Sequence, residues 1–101
     1  MFGEVFQGDI LKLENIKPLI LVVSKDIFNR TGEILGCPIF TNGTPGPLRH
    51  HICADTADGY VHCEKITLFD LNVRGYSKTG AIRISDRIVV SDIIQGLFDY
   101  L

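Results

Sequence analysis

The run Pro18-Leu19-Ile20-Leu21-Val22-Val23-Ser24 constrains the fold more than any other part of the chain. It is continuous in apolar side chains, rich in Val and Ile, and far too short to span a bilayer, so it reads as a strand buried on both faces. The remaining sequence keeps the same short rhythm. Ile10 to Leu13 begins it, Asn29-Arg30-Thr31-Gly32 supplies a turn, and Ile34 to Phe40 is the next strand. Thr41-Asn42-Gly43-Thr44-Pro45-Gly46-Pro47 is the only stretch dense in Gly and Pro, and reads as an exposed loop of the kind that often contacts ligands. His50 to Ala54 and Tyr60 to Leu71 resume the strand pattern across a turn at Ala57-Asp58-Gly59, and Ala81 to Ile84 is a further short strand. The period then changes. Val90, Ile93, Ile94, Leu97, Phe98 and Leu101 recur at helical spacing behind a cap at Ser85 and an acid at Asp86, which predicts a closing amphipathic helix. The expected architecture is mainly β, five to seven strands in a small barrel or sheet with one C-terminal helix, and residues 1–101 fit one domain without internal repeats.

Charge limits the partners. Twelve acidic residues against ten basic ones give a formal charge of −2, so no global positive field would draw in nucleic acid. A nucleic-acid contact would need a local patch such as Lys12, Lys17, Arg74 and Lys78. Cys37, Cys53 and Cys63 are odd in number and lack disulfide-framework spacing, which points to reduced thiols and a cytoplasmic setting. Phe2-Gly3-Glu4-Val5 does not resemble the basic start of a signal peptide.

Acid–base chemistry concentrates at Val61-His62-Cys63-Glu64-Lys65. On a strand, Val61 and Cys63 point one way and His62 and Glu64 the other, which sets an imidazole beside a carboxylate as proton donor and acceptor. A zinc site is disfavoured. Neighbours on a strand face opposite ways, so His50-His51 and His62-Cys63 each offer at most one ligand inward, and no standard ligand spacing occurs around Cys53. No nucleophile-elbow motif surrounds Ser24, Ser77, Ser85 or Ser91.

The order of motifs resembles one family. Gly8-Asp9-Ile10, Lys17-Pro18 with its apolar strand, Asn29-Arg30, Cys37-Pro38-Ile39, Val61 with Glu64-Lys65, Asp70 and Arg74-Gly75 are similar to the succession in MazF/Kid/PemK toxins, the endoribonucleases of bacterial toxin–antitoxin pairs. The resemblance covers nearly the whole chain. It implies an SH3-like barrel of the CcdB/PemK type, a homodimer, and an antitoxin partner. It also implies metal-independent cleavage of single-stranded RNA, with no cofactor, in which a 2′-hydroxyl attacks the adjacent phosphate. Glu64 and His62 match the family's base and acid, with Glu in place of Asp and His in place of Arg. Lys17 stands where the family has Arg before Pro, keeping the charge but losing the bidentate fork. Arg74, Thr41, Phe40 and Lys78 are the residues expected to meet RNA, Phe40 or Phe69 by stacking on a splayed base. The connection Glu14-Asn15-Ile16 is shorter than the Gly-rich loop of MazF-like relatives. Two other outcomes use the same fold: a CcdB-like toxin that poisons DNA gyrase, and a degenerate barrel that only binds a protein.

Overall fold

Two apolar cores lie on opposite faces of the central strands, and consecutive residues feed them alternately. The computed structural model describes residues 4–98. Its strands are β1 (Asp9–Leu13), β2 (Leu19–Val22), β3 (Glu33–Phe40), β4 (Arg49–Ala54), β5 (Ala57–His62), β6 (Thr67–Asp70) and β7 (Tyr76–Ala81), with helices α1 (Asp26–Asn29) and α2 (Ile84–Gly96). All pairings are antiparallel, in the order β4-β5-β3-β2-β1-β7, with β6 also on β3. The expected mainly β architecture with a closing helix is borne out.

Ile10 and Leu21 join Cys37, Val61 and Cys63 in one core, which Val90 of α2 caps. Leu11, Ile20 and Val22 join Leu13, Ile34 and Leu71 in the other. This division explains the continuous apolar run of β2: Ile20 and Leu21 are each at most 2% exposed because both faces are covered.

Strand β3 is the pivot. Its first half pairs with β6 from Glu33↔Asp70 to Gly36↔Thr67, and its end pairs with β5 at Ile39↔Val61 and Phe40↔Tyr60. Pro38 falls between the two partners, where a missing N–H costs no ladder bond on that side. The change of partner lets one sheet curl over itself.

Four sequence expectations need correction. The turn at Ala57-Asp58-Gly59 lies instead at Asp55 and Thr56, with Ala54 paired to Ala57. Asp-Gly is a strong hairpin signal, but Gly59 serves another purpose: a Cβ there would stand 2.5 Å from the Phe40 carbonyl oxygen. It is a close-approach glycine inside a strand. The single strand from Tyr60 to Leu71 is two, because the chain turns at Cys63 and Glu64. Cys63 N–H donates to Leu48 O at 3.0 Å and Lys65 N–H to His62 O at 3.1 Å.

The strand expected at Ala81 to Ile84 lies upstream as β7, an edge strand whose polar sequence hides the alternation. Helix α2 starts at Ile84 with Arg83 as N-cap and no side-chain cap bond, so Ser85 does not cap it. Of its stripe, Val90 is buried, Ile93 and Ile94 pack on the core, and Phe98 is 64% exposed. Leu101 lies outside the described residues. Among those residues no helix is long and apolar enough to cross a membrane.

Candidate active site

The β4–β5 hairpin builds the site. With its turn at Asp55 and Thr56, the ladder sets Arg49 directly opposite His62. His62 ends β5, and the tight turn that follows swings Glu64 back toward the same place. Glu64 Oε2 accepts hydrogen bonds from Arg49 Nε at 3.3 Å and Nη2 at 3.0 Å, while Arg49 Nη1 donates to Thr44 Oγ1 at 2.8 Å. The same carboxylate oxygen lies 3.9 Å from His62 Nδ1, near but beyond hydrogen-bond reach. Imidazole and carboxylate are therefore neighbours, as strand alternation suggested. The turn brings them together, not a shared strand face.

His62 is 7% exposed. Both of its ring nitrogens and Glu64 Oε1 are buried without a hydrogen-bond partner among the described residues. Buried polar atoms are rarely left unpaired, so three at one place mark a spot suited to water, a ligand or a reacting group. Phe40 meets the imidazole edge-on, with ring centroids 4.6 Å apart, and Lys65 Nζ stands 5.4 Å from the Phe40 ring centroid.

His62, Phe40 and Lys65 open onto a cavity of about 580 Å³ whose lining also includes Lys17, Thr41, Asn42 and Thr44. Its wall is the Gly- and Pro-rich loop. A Cβ on Gly43 would come within 2.9 Å of His62 Nε2, so glycine is what lets this loop lie against the imidazole.

Electrostatics follow the packing. Burial lowers the His62 pKa, Arg49 and Lys65 lower it further, and Glu64 only partly opposes them, which keeps the imidazole neutral near pH 7. Burial raises the Glu64 pKa, but backbone hydrogen bonding, Arg49 and His62 outweigh it and hold the group below the usual carboxylate range. Burial pushes the Cys37 thiol up to about 12 and the Cys63 thiol up to about 11, so both are inert core thiols.

The structure gathers Lys17, Phe40, Thr41 and His62 around one cavity, with Glu64 behind His62. It does not bring Arg74 or Lys78 there. Arg74 Nη1 donates to the Glu14 carbonyl at 2.6 Å, which braces the short connection after β1. Lys78 pairs with the buried Asp9 at 3.0 Å and lies over Phe6. The histidines considered as metal ligands are engaged separately, His50 with Asp86 and His51 with Asp58, both at 2.9 Å. Among the described residues no group of three or more His, Cys, Asp or Glu is placed to hold a metal ion.

Sequence reasoning missed Arg49 and Lys65. A hairpin turn centred on Asp58 carries the partner of Arg49 well past His62, so only the correct turn reveals the pairing. Lys65 had a signal, its place directly after the acid–base pair.

The model of the family described as PemK-like, MazF-like toxin of type II toxin-antitoxin system matches residues 6–98. A comparison with curated proteins found no match. Among solved structures, the MazE-MazF crystal structure from Deinococcus radiodurans superposes with a TM-score of 0.85 at 19% identity, covering 95% of this chain and 97% of that one. MazF alone from the same organism gives 0.83 at 17% identity, covering 95% and 97%. An endoribonuclease in complex with its cognate antitoxin, from Mycobacterial species, gives 0.77 at 16% identity, covering 96% and 99%. At these identities the likeness establishes the fold.

Proposed function

Since the chain belongs to the family of PemK-like, MazF-like toxins of type II toxin–antitoxin systems, we propose that it is a metal-independent endoribonuclease acting on single-stranded RNA. One observation carries the reading: a buried imidazole and carboxylate side by side, with three polar atoms unpartnered among the described residues, and the imidazole lining a cavity edged by lysines.

The substrate supplies the nucleophile. Its 2′-hydroxyl oxygen forms a bond to the adjacent phosphorus as the bond from phosphorus to the 5′ oxygen breaks, leaving a cyclic phosphate and a 5′-hydroxyl end. Glu64, ionised, accepts the hydroxyl proton through Oε1, and His62 gives a proton to the departing oxygen. His62 is neutral in the free protein, so it must take up that proton as RNA binds. A phosphodiester beside it favours the imidazolium and opposes the depression by Arg49 and Lys65. Lys17 and Lys65 stabilise charge that develops on the phosphate oxygens.

Thr41 hydrogen-bonds the RNA, and a base stacks on Phe40 by displacing Lys65 from the ring. Arg74 and Lys78, outside the cavity, are assigned to flanking phosphates. The same premise gives an antitoxin partner, a cytoplasmic setting and a homodimer. Ile84 and Ile88, one turn apart on α2 and 66% and 56% exposed, offer an apolar face for association.

The test is incubation of the protein with mixed single-stranded RNA in excess EDTA, beside Glu64→Gln. Cuts that leave 5′-hydroxyl ends and vanish in the variant are expected. Intact RNA at high enzyme concentration would sink the reading.

A further inference from the structure

Arg49 touches the parts that surround the cavity without lining it. Two of its nitrogens hold one oxygen of Glu64 and the third holds Thr44 Oγ1. Its backbone N–H donates to Gly46 O at 3.1 Å, so the same residue closes the loop that Thr44 belongs to. The β4–β5 ladder fixes it from below, opposite His62. The fork engages Oε2 alone and leaves Oε1 of Glu64 buried and unpartnered among the described residues. The side chains are partly shielded, 30% exposed for Arg49 and 27% for Glu64. There a charge-assisted fork fixes geometry that a single ammonium would not.

We infer that Arg49 is a positioning residue for phosphodiester cleavage: it locks Glu64 by one oxygen and ties the Thr44 loop to it, so that the other oxygen and His62 meet the substrate together. This rests on the endoribonuclease reading above. Charge follows the geometry. The groups facing His62 are Arg49 from β4, Glu64 and Lys65 from the turn after β5, and Lys17 at the cavity rim. After burial, Arg49 is the largest cause of the depressed imidazole. Its hydrogen bond and charge also add to the backbone hydrogen bonding that lowers the Glu64 pKa.

The test uses the isotope-labelled full chain and two variants. In Arg49→Met, NMR titration without RNA should show the His62 and Glu64 midpoints both moving up, as a cation is lost beside each. Cleavage of a short single-stranded RNA should fall at least about tenfold in kcat, with KM changing less. Arg49→Lys keeps the charge but not the fork, so it should return the His62 midpoint toward the wild-type value while kcat stays low. A residue needed only for stability would lower kcat without moving either midpoint. An unmoved His62 midpoint in Arg49→Met overturns the inference whether or not RNA is cut, and so does a moved midpoint with unchanged kcat. If Arg49→Met does not fold, Arg49→Lys decides: wild-type kcat overturns the inference and low kcat with a near-native midpoint supports it. RNA left intact by the wild-type protein overturns the endoribonuclease reading, and the titration still reports whether Arg49 sets the two groups.

Discussion

Asp86, in the first turn of α2, holds His50 of β4 through Oδ1 at 2.9 Å, while its Oδ2 accepts from Arg83 Nε at 3.4 Å. This hydrogen bond fastens the closing helix to the hairpin that carries the candidate site. Burial raises the Asp86 pKa, but His50 and Arg83 outweigh it and hold the carboxyl below its ordinary value. A depressed carboxylate adds stability that is complete above its unfolded pKa and lost as pH falls through the folded one. Asp86→Asn should therefore cost about 2 kcal/mol in urea unfolding at neutral pH. The gap to wild type should close as pH drops below the ordinary carboxylate value of about 3.9. A gap that persists at acid pH would assign the loss to packing instead.

Gly59 has no room for a side chain, since a Cβ would meet the Phe40 carbonyl oxygen at 2.5 Å and the carbonyl carbon at 2.9 Å. Backbone cannot step aside as a flexible side chain can. Gly59→Ala should destabilise the fold by about 1–3 kcal/mol or more in chemical denaturation. It should also move Phe40, so the Phe40 and His62 ring resonances should shift in the folded variant. Native stability with unchanged spectra would show that β3 and β5 do not approach so closely.

The fold was legible where hydrophobicity decides it. The Leu19 to Val22 run gave a doubly buried strand because each face has its own core, and the Val90 to Ile94 spacing gave α2. β7 was not legible, because Tyr76-Ser77-Lys78-Thr79-Gly80-Ala81 is an edge strand held to β1 by backbone bonds and exposes much of its surface. At the site, His62 and Glu64 were readable as neighbours, although the geometry that joins them is a turn. Arg49 was not, since its role depends on hairpin register, and Gly59 disguised that register by looking like a turn residue.

Lys17 and Lys78 should separate in kinetics. Lys17 is exposed at the cavity rim and is assigned to charge on the reacting phosphate, whereas Lys78 lies outside, paired with Asp9. Lys17→Ala should lower kcat by about 10²-fold. Lys78→Ala should act mainly on KM, and should reduce the dependence of binding on salt by roughly one phosphate contact. Steady-state cleavage of a defined oligonucleotide at several salt concentrations measures both. Equal losses of kcat in the two variants would contradict the placement of the reacting phosphate beside Lys17.

The pH profile tests the assignment of base and acid. Glu64 must be ionised to accept a proton, and its pKa is depressed, so the acid limb of kcat/KM should fall below the ordinary glutamate value of about 4.3. His62 must be protonated to donate, and its pKa is also depressed, so the basic limb should fall below the ordinary imidazole value of about 6.5. The free enzyme should therefore show a bell with an acidic optimum. In kcat, which reports the bound complex, a phosphodiester beside the imidazole raises its pKa, so the basic limb should move to higher pH while the acid limb moves little. Activity on a single-site oligonucleotide, followed across the pH range, gives both profiles. A kcat/KM that instead rises through the imidazole range and stays high at alkaline pH would make neutral His62 the base and remove it from the role of acid.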